Sequence, residues 1–123
     1  VTGAMRLLFV DDDADIRTIV TLALGLDPMI ALVAVGTPDE AIALVASAPS
    51  FDAALLDVSM PAMDGPALRA ALRAIMPDLP VIFMTAHSRA HELAALRAVG
   101  AVGVIVKPFD PLTLGAQIRD LLH

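Results

Sequence analysis

Cysteine is absent from the 123 residues, so disulfides and thiol chemistry are excluded, the redox compartment stays open, and no cysteine set supports a zinc site. Long apolar runs are absent too. Apolar residues make up 58% of the chain, yet its longest stretches free of Asp, Glu, Lys and Arg, Pro28 to Pro38 and Ala41 to Phe51, have eleven residues. A membrane-spanning helix needs about 20, so a soluble, cytoplasmic domain is expected. Positive charge is scarce: eight Lys and Arg against 14 Asp and Glu give a net charge of −6. That balance disfavours nucleic-acid binding, which relies on basic patches to neutralise phosphates. No basic segment precedes an apolar one at the start, so no secretory signal is expected, and Val1 to Ala4 is expected to be a cloning remnant or disordered.

What is present suffices for one domain spanning residues 1 to 123, within the usual range of about 100 to 200 residues. Apolar runs of four to five residues alternate with amphipathic stretches. The expected strands are Arg6 to Val10, Ala31 to Val35, Ala53 to Asp57, Val81 to Thr85 and Gly103 to Lys107. The expected helices are Asp15 to Leu24, Pro38 to Ala48, Gly65 to Ile75, Arg89 to Val99 and Pro111 to Leu122. Five βα units with short connections predict an α/β fold: a five-stranded parallel sheet with helices on both faces. Thr37-Pro38-Asp39-Glu40 combines a capping box with Pro at the first helical position, and Asp110-Pro111 repeats the cap-plus-Pro arrangement. Apolar stripes of helical period, Leu112, Leu114, Ile118, Leu121 and Leu122 in the last helix and Leu93, Leu96, Ala98 and Val99 in the fourth, are expected to face the core.

Polar residues stand where four of the apolar runs end: Asp11 and Asp12, Asp57, Thr85 and Lys107. Ligands of open α/β sheets bind at that carboxyl edge, so the pattern describes one polar site. Lys107 is the sole lysine beside seven arginines, which suits a place that needs a compact, flexible ammonium rather than a planar fork. Two adjacent aspartates facing a third are costly without a cation, and Mg²⁺, which takes oxygen ligands and often a phosphate as well, meets that need. With Lys107 and the Thr85 hydroxyl to bind phosphoryl oxygens, the set makes a phosphoryl-transfer site in which Asp57 is the in-line nucleophile and forms an acyl phosphate. For the cluster Asp11, Asp12, Asp13 and Asp15 taken alone, a solvated loop with helix-capping duty is the alternative.

The segments Leu7 to Asp13, Leu55 to Gly65 with its Met60-Pro61 and Asp64-Gly65, Phe83-Met84-Thr85-Ala86, and Gly100 to Phe109 with Lys107-Pro108-Phe109 resemble, in that order, the receiver domain of two-component response regulators. The likeness covers nearly the whole chain and extends to the chemotaxis regulator and other single-domain regulators. It implies a flavodoxin-like doubly wound fold and Asp57 as phosphoacceptor. It also implies Asp12 as a direct Mg²⁺ ligand, Asp11 as a ligand mainly through water, and the Ser59 main-chain carbonyl as a further ligand. Thr85 and Lys107 would bind phosphoryl oxygens, and Lys107-Pro108 would be a cis peptide. Asp13 and Asp15 are expected to cap the first helix. The implied partner is a histidine kinase or histidine phosphotransfer protein docking near the first helix and the pocket loops. Catalysis would extend only to the chain's own phosphorylation and dephosphorylation.

One position departs from the family's pattern. Receivers usually carry Tyr or Phe in the last strand where this chain has Val104, and no Tyr or Trp occurs anywhere, so output is expected to be muted or differently wired. Ser59 and His87 stand where the family tunes access of water to the acyl phosphate; for His87 the alternative is an exposed loop residue without a role. His91 and His123 are expected at the surface, Met60 and Met63 under the loop after Asp57, and Phe109 in the core or at a joint. A phosphate-independent interaction module and, from Asp11-Asp12-Asp13, a phosphatase of the haloacid-dehalogenase type are the competing functions. Output through a protein partner, and a monomer or a weak dimer through Val102 and Val104, complete the expectations.

Overall fold

The computed structural model describes residues 4–123; apart from Ala4, the segment expected to be a cloning remnant lies outside the described residues. Strands and helices alternate as β1 (Met5–Val10), α1 (Ala14–Gly25), β2 (Ile30–Val35), α2 (Pro38–Ser47), β3 (Ala53–Asp57), α3 (Gly65–Ile75), β4 (Val81–Thr85), α4 (Ala90–Ala98), β5 (Gly103–Val106) and α5 (Leu114–Leu122). All strand pairs are parallel, as the repeated βα pattern predicts, and the sheet order is β2-β1-β3-β4-β5.

The period of two along each strand divides the core between the two faces of the sheet. Leu7, Phe9, Ala53, Leu55, Ile82, Met84 and Ile105 point to the side covered by Val20 and Leu24 of α1 and by Leu114 and Ile118 of α5. Leu8, Val10, Ala54, Leu56, Val81 and Phe83 point to the other, where Ala41 and Val45 of α2, Leu68 and Leu72 of α3 and Leu96 of α4 meet them. The central strands β1, β3 and β4 are buried on both faces, which is why their runs read as continuous apolar sequence, while the edge strands β2 and β5 keep partly exposed positions. Truncating one of the fully buried leucines would cost about 2–5 kcal/mol.

Helix starts follow their caps. The Asp13 carboxylate accepts from the amides of Asp15 (2.9 Å) and Ile16 (3.3 Å), so Asp13 is the cap of α1 and Asp15 sits in its first turn. Thr37 Oγ1 accepts from Glu40 N at 3.1 Å, with Pro38 opening α2 as expected. Asp64 caps α3 through Ala67 N, 2.9 Å.

Asp110-Pro111 behaves differently from the expectation. The Asp110 carboxylate accepts from Leu112 N (2.9 Å) and its carbonyl from Thr113 N (3.2 Å). These bonds close a turn over Pro111 to Thr113 and delay α5 to Leu114. Leu112 is consequently 85% exposed instead of facing the core. In α4 only Leu96 is buried; Val99, placed after the helix end as its C-cap, is exposed. With this single anchor α4 has the fewest buried residues of the five helices.

Candidate functional site

Strand order brings the carboxyl ends of β1, β3, β4 and β5 side by side, and the polar residues predicted there meet at that edge. The pleat then decides which of them face each other. Asp11 continues the parity of Leu7 and Phe9, Asp57 that of Ala53 and Leu55, and Lys107 that of Ile105, so all three lie on the α1/α5 side. Lys107 Nζ donates to Asp11 Oδ2 and to Asp57 Oδ1, both at 3.0 Å. Both carboxylates are buried, Asp11 completely and Asp57 to within 5%, while the Lys107 side chain keeps 19% exposure. Asp12 is exposed at the rim, and oxygens of Asp11, Asp12 and Asp57 lie within 4.8 Å of one another.

Thr85 follows the parity of Phe83 and lies toward the α3/α4 side, buried to 2%. Its Oγ1 accepts from His87 N at 3.0 Å, and its carbonyl accepts from Lys107 N at 2.7 Å, which ties the last residue of β4 to the lysine. Lys107 itself stands one residue past β5, joined to Pro108 by a cis peptide bond.

Charge balance at the site is incomplete. Three carboxylates share one ammonium, and burial pushes the Asp57 carboxyl above its ordinary value of 3.8; the Lys107 hydrogen bond opposes that push, and the Asp11 charge adds to it. Burial draws the Lys107 ammonium down, but its hydrogen bonds and charge attraction to Asp57 and Asp11 outweigh burial and leave it above 10.5. The unbalanced acidic oxygens are hard donors of the kind Mg²⁺ takes, so the residues present fit that ion.

Ser59, in the loop after Asp57, is exposed, and no protein donor among the described residues bonds its carbonyl. The His87 side chain is 64% exposed and directs Nδ1 toward Glu92 Oε2 at 3.6 Å. His91 and His123 are exposed as expected. Met60 is buried and Met63 packs against the same core, beneath that loop. Val104 stands beside Phe83 in register and is only partly buried.

Two residues that serve the site escaped the sequence reading. Gly65 opens α3 with its Cα against the acceptor strand: a Cβ there would lie 2.8 Å from the Asp57 carbonyl and 3.0 Å from Val58 Cα. Arg17 Nη1 donates to the Asp11 carbonyl at 2.8 Å. The Asp64-Gly65 pair marks a helix start in sequence, and Arg17 lies one helical turn after Asp13, but neither signal reveals a contact made by folding.

An apolar groove lined by Ile16, Ile19, Ala86, Pro108, Phe109 and Pro111 adjoins Lys107 between α1 and the β5–α5 turn. Among the described residues no helix is long and apolar enough to cross a membrane.

Known proteins share this architecture. The chemotaxis protein CheY4 of Vibrio cholerae is 31% identical, with a TM-score of 0.84 over 96% of this chain and 98% of its own. The signal receiver domain of the response regulator NarL from Mycobacterium tuberculosis is 27% identical, with a TM-score of 0.85 over 98% and 97%. A CheY-like receiver domain protein from Methanospirillum hungatei is 26% identical, with a TM-score of 0.84 over 97% and 94%. No protein with a curated description matches the chain. The profile of the response regulator receiver domain matches residues 7–119, from the third residue of β1 to the last turn of α5. With the acidic edge, the paired lysine and the sheet order all in the positions that profile spans, the chain belongs to the response regulator receiver domain family.

Proposed function

We propose that the chain is a working phosphoacceptor: a histidine kinase or histidine phosphotransfer protein passes a phosphoryl group to Asp57, and the phosphorylated form signals through altered protein binding. The observation that carries this reading is the Lys107 ammonium held 3.0 Å from both Asp11 and Asp57, beside an acidic cluster that it does not neutralise. A carboxylate oxygen of Asp57 attacks phosphorus, the P–N bond of the donor phosphohistidine breaks, and the departing imidazole takes up a proton from solvent. Lys107 receives negative charge on the phosphoryl oxygens, and the Thr85 hydroxyl donates to one of them, giving up its acceptor role toward the His87 amide. Asp12, Asp57 and the Ser59 carbonyl would hold Mg²⁺ directly, and Asp11 mainly through water. When bound, Mg²⁺ supplies neutralisation of the carboxylate and phosphoryl charge.

The groove of Ile16, Ile19, Pro108 and Phe109 offers the donor protein an apolar landing beside the pocket. In this reading the chain acts on no substrate but its own aspartate and works in the cytoplasm as a monomer or weak dimer. No observation favours the phosphatase alternative, which would place phosphate on Asp11.

Intact mass after incubation with acetyl phosphate and Mg²⁺ tests the proposal. The expected result is a gain of about 80 Da that requires Mg²⁺ and is lost in Asp57→Asn. No gain from acetyl phosphate or from any histidine-kinase donor, with the fold intact, would leave the phosphate-independent interaction module.

A further inference from the structure

We propose that Arg17 is a positioning residue for the acidic loop: its guanidinium sets the Asp11–Asp12 peptide so that both carboxylates converge on the cation. The inference rests on the Mg²⁺ reading above. Arg17 sits in the first turn of α1, where its amide donates to Asp13 O at 3.0 Å, and its side chain folds back to donate from Nη1 to the Asp11 carbonyl at 2.8 Å. The guanidinium rests against the β2–α2 turn: a Cβ on Gly36 would fall 2.9 Å from Nη1 and 3.2 Å from Cζ. Glycine leaves the space that the arginine fills.

The consequence for the loop follows from peptide geometry. Asp11 N donates to Val35 O at 3.3 Å, at the end of β2, and Asp11 Oδ1 accepts from Asp13 N at 2.9 Å. With its carbonyl gripped by Arg17, the Asp11 backbone is held at both its peptide groups. Because the Asp11–Asp12 peptide is planar, fixing that oxygen also fixes the Asp12 nitrogen and Cα from which the exposed Asp12 carboxylate projects. A charge-assisted bond is a strong way to do this.

Arg17 also brings positive charge near a cation site, so its removal has two effects of opposite sign. Loss of repulsion would tighten Mg²⁺ binding, by severalfold at most in screened surroundings. Loss of the support would weaken it, by about ten- to hundredfold for groups that orient metal ligands. Positioning is the larger effect, and the sign of the change separates the two.

The test is the Mg²⁺ dissociation constant by calorimetry for the native chain, Arg17→Ala, Arg17→Lys and Gly36→Ala, with circular dichroism melts to establish that each is folded. Arg17→Ala is expected to bind about tenfold more weakly. Arg17→Lys, which keeps a charged donor, is expected to recover most of the loss, and Gly36→Ala, whose new methyl displaces the guanidinium without touching a carboxylate, to weaken binding in the same direction. Unchanged or tighter binding by Arg17→Ala overturns the inference while leaving the metal reading standing. Should Arg17→Ala fail to fold, Gly36→Ala decides in its place. A native chain that binds no Mg²⁺ overturns the metal reading and this inference with it.

Discussion

Replacing Lys107 with Met keeps the aliphatic stem and removes the one positive charge between Asp11 and Asp57. Two buried carboxylates then lose their cationic partner. Removing one member of a buried pair costs about 3–5 kcal/mol, and the 19% exposure of the lysine side chain, which lets water share its charge, argues for the lower end, about 3 kcal/mol. At about 2.1 cal/mol/K of unfolding entropy per residue, that loss lowers the Tm of a 123-residue chain by about 12 °C.

The pH dependence gives the reasoning a second handle. In the native chain burial already holds the Asp57 pKa above 3.8. A carboxyl with a raised folded-state pKa favours folding while protonated, so its contribution is fully present below 3.8 and is lost as pH climbs through the raised value. Without Lys107 the pKa rises further, and the deficit of Lys107→Met should therefore open as pH climbs above 3.8, widen toward neutrality, and close again in acid. Millimolar Mg²⁺ should restore part of it. Because the chain has neither Trp nor Tyr, urea unfolding is followed by far-ultraviolet circular dichroism. An equal deficit in acid and at neutrality would assign the loss to packing of the stem and refute the charge argument; no deficit at neutrality would refute it outright.

Further outcomes follow from the same geometry. Asp57→Asn removes a buried charge whose surroundings disfavour it, so it should raise stability near neutral pH, with the gain vanishing in acid; a destabilised Asn variant in urea unfolding would mean that the Lys107 pairing outweighs burial. Gly65→Ala sets a methyl 2.8 Å from a backbone carbonyl that cannot swing away, and should cost about 2–3 kcal/mol and slow phosphorylation; a native melting curve would show that α3 can shift to make room. His87→Ala should leave the acyl-phosphate half-life within about twofold of native, because the imidazole turns to Glu92 in an exposed pair of little worth; a larger change in a phosphate-release time course would assign His87 a role in the pocket. Leu96→Ala should cost more than Val99→Ala, by about 2 kcal/mol, since Leu96 is the sole buried anchor of α4; equal losses would contradict that placement.

Much of this molecule was legible before folding. The apolar runs of β1, β3 and β4 are bounded by charge, Pro or Thr and need both faces buried, which makes a parallel sheet the economical arrangement and places Asp11, Asp57 and Thr85 at its carboxyl edge. Thr37 and Asp13 announced helix starts because capping is local chemistry, satisfied within three residues. Asp110-Pro111 misled for the same reason: a side chain that can cap a helix can equally close a turn, and here it bonds Leu112 N ahead of α5.

Tertiary structure alone decided the rest. Strand order made β1, β3, β4 and β5 neighbours at one edge, and the pleat put Asp11, Asp57 and Lys107 on one side and Thr85 toward the other. Exposure of Val99 depended on where α4 docked, and Arg17 over Gly36 and Gly65 against the Asp57 carbonyl depended on which backbones came together. A sequence by itself determines what each short segment can satisfy within its own reach; contacts between residues 46 to 96 positions apart, as Lys107 is from Asp11, exist only once the sheet has closed the distance.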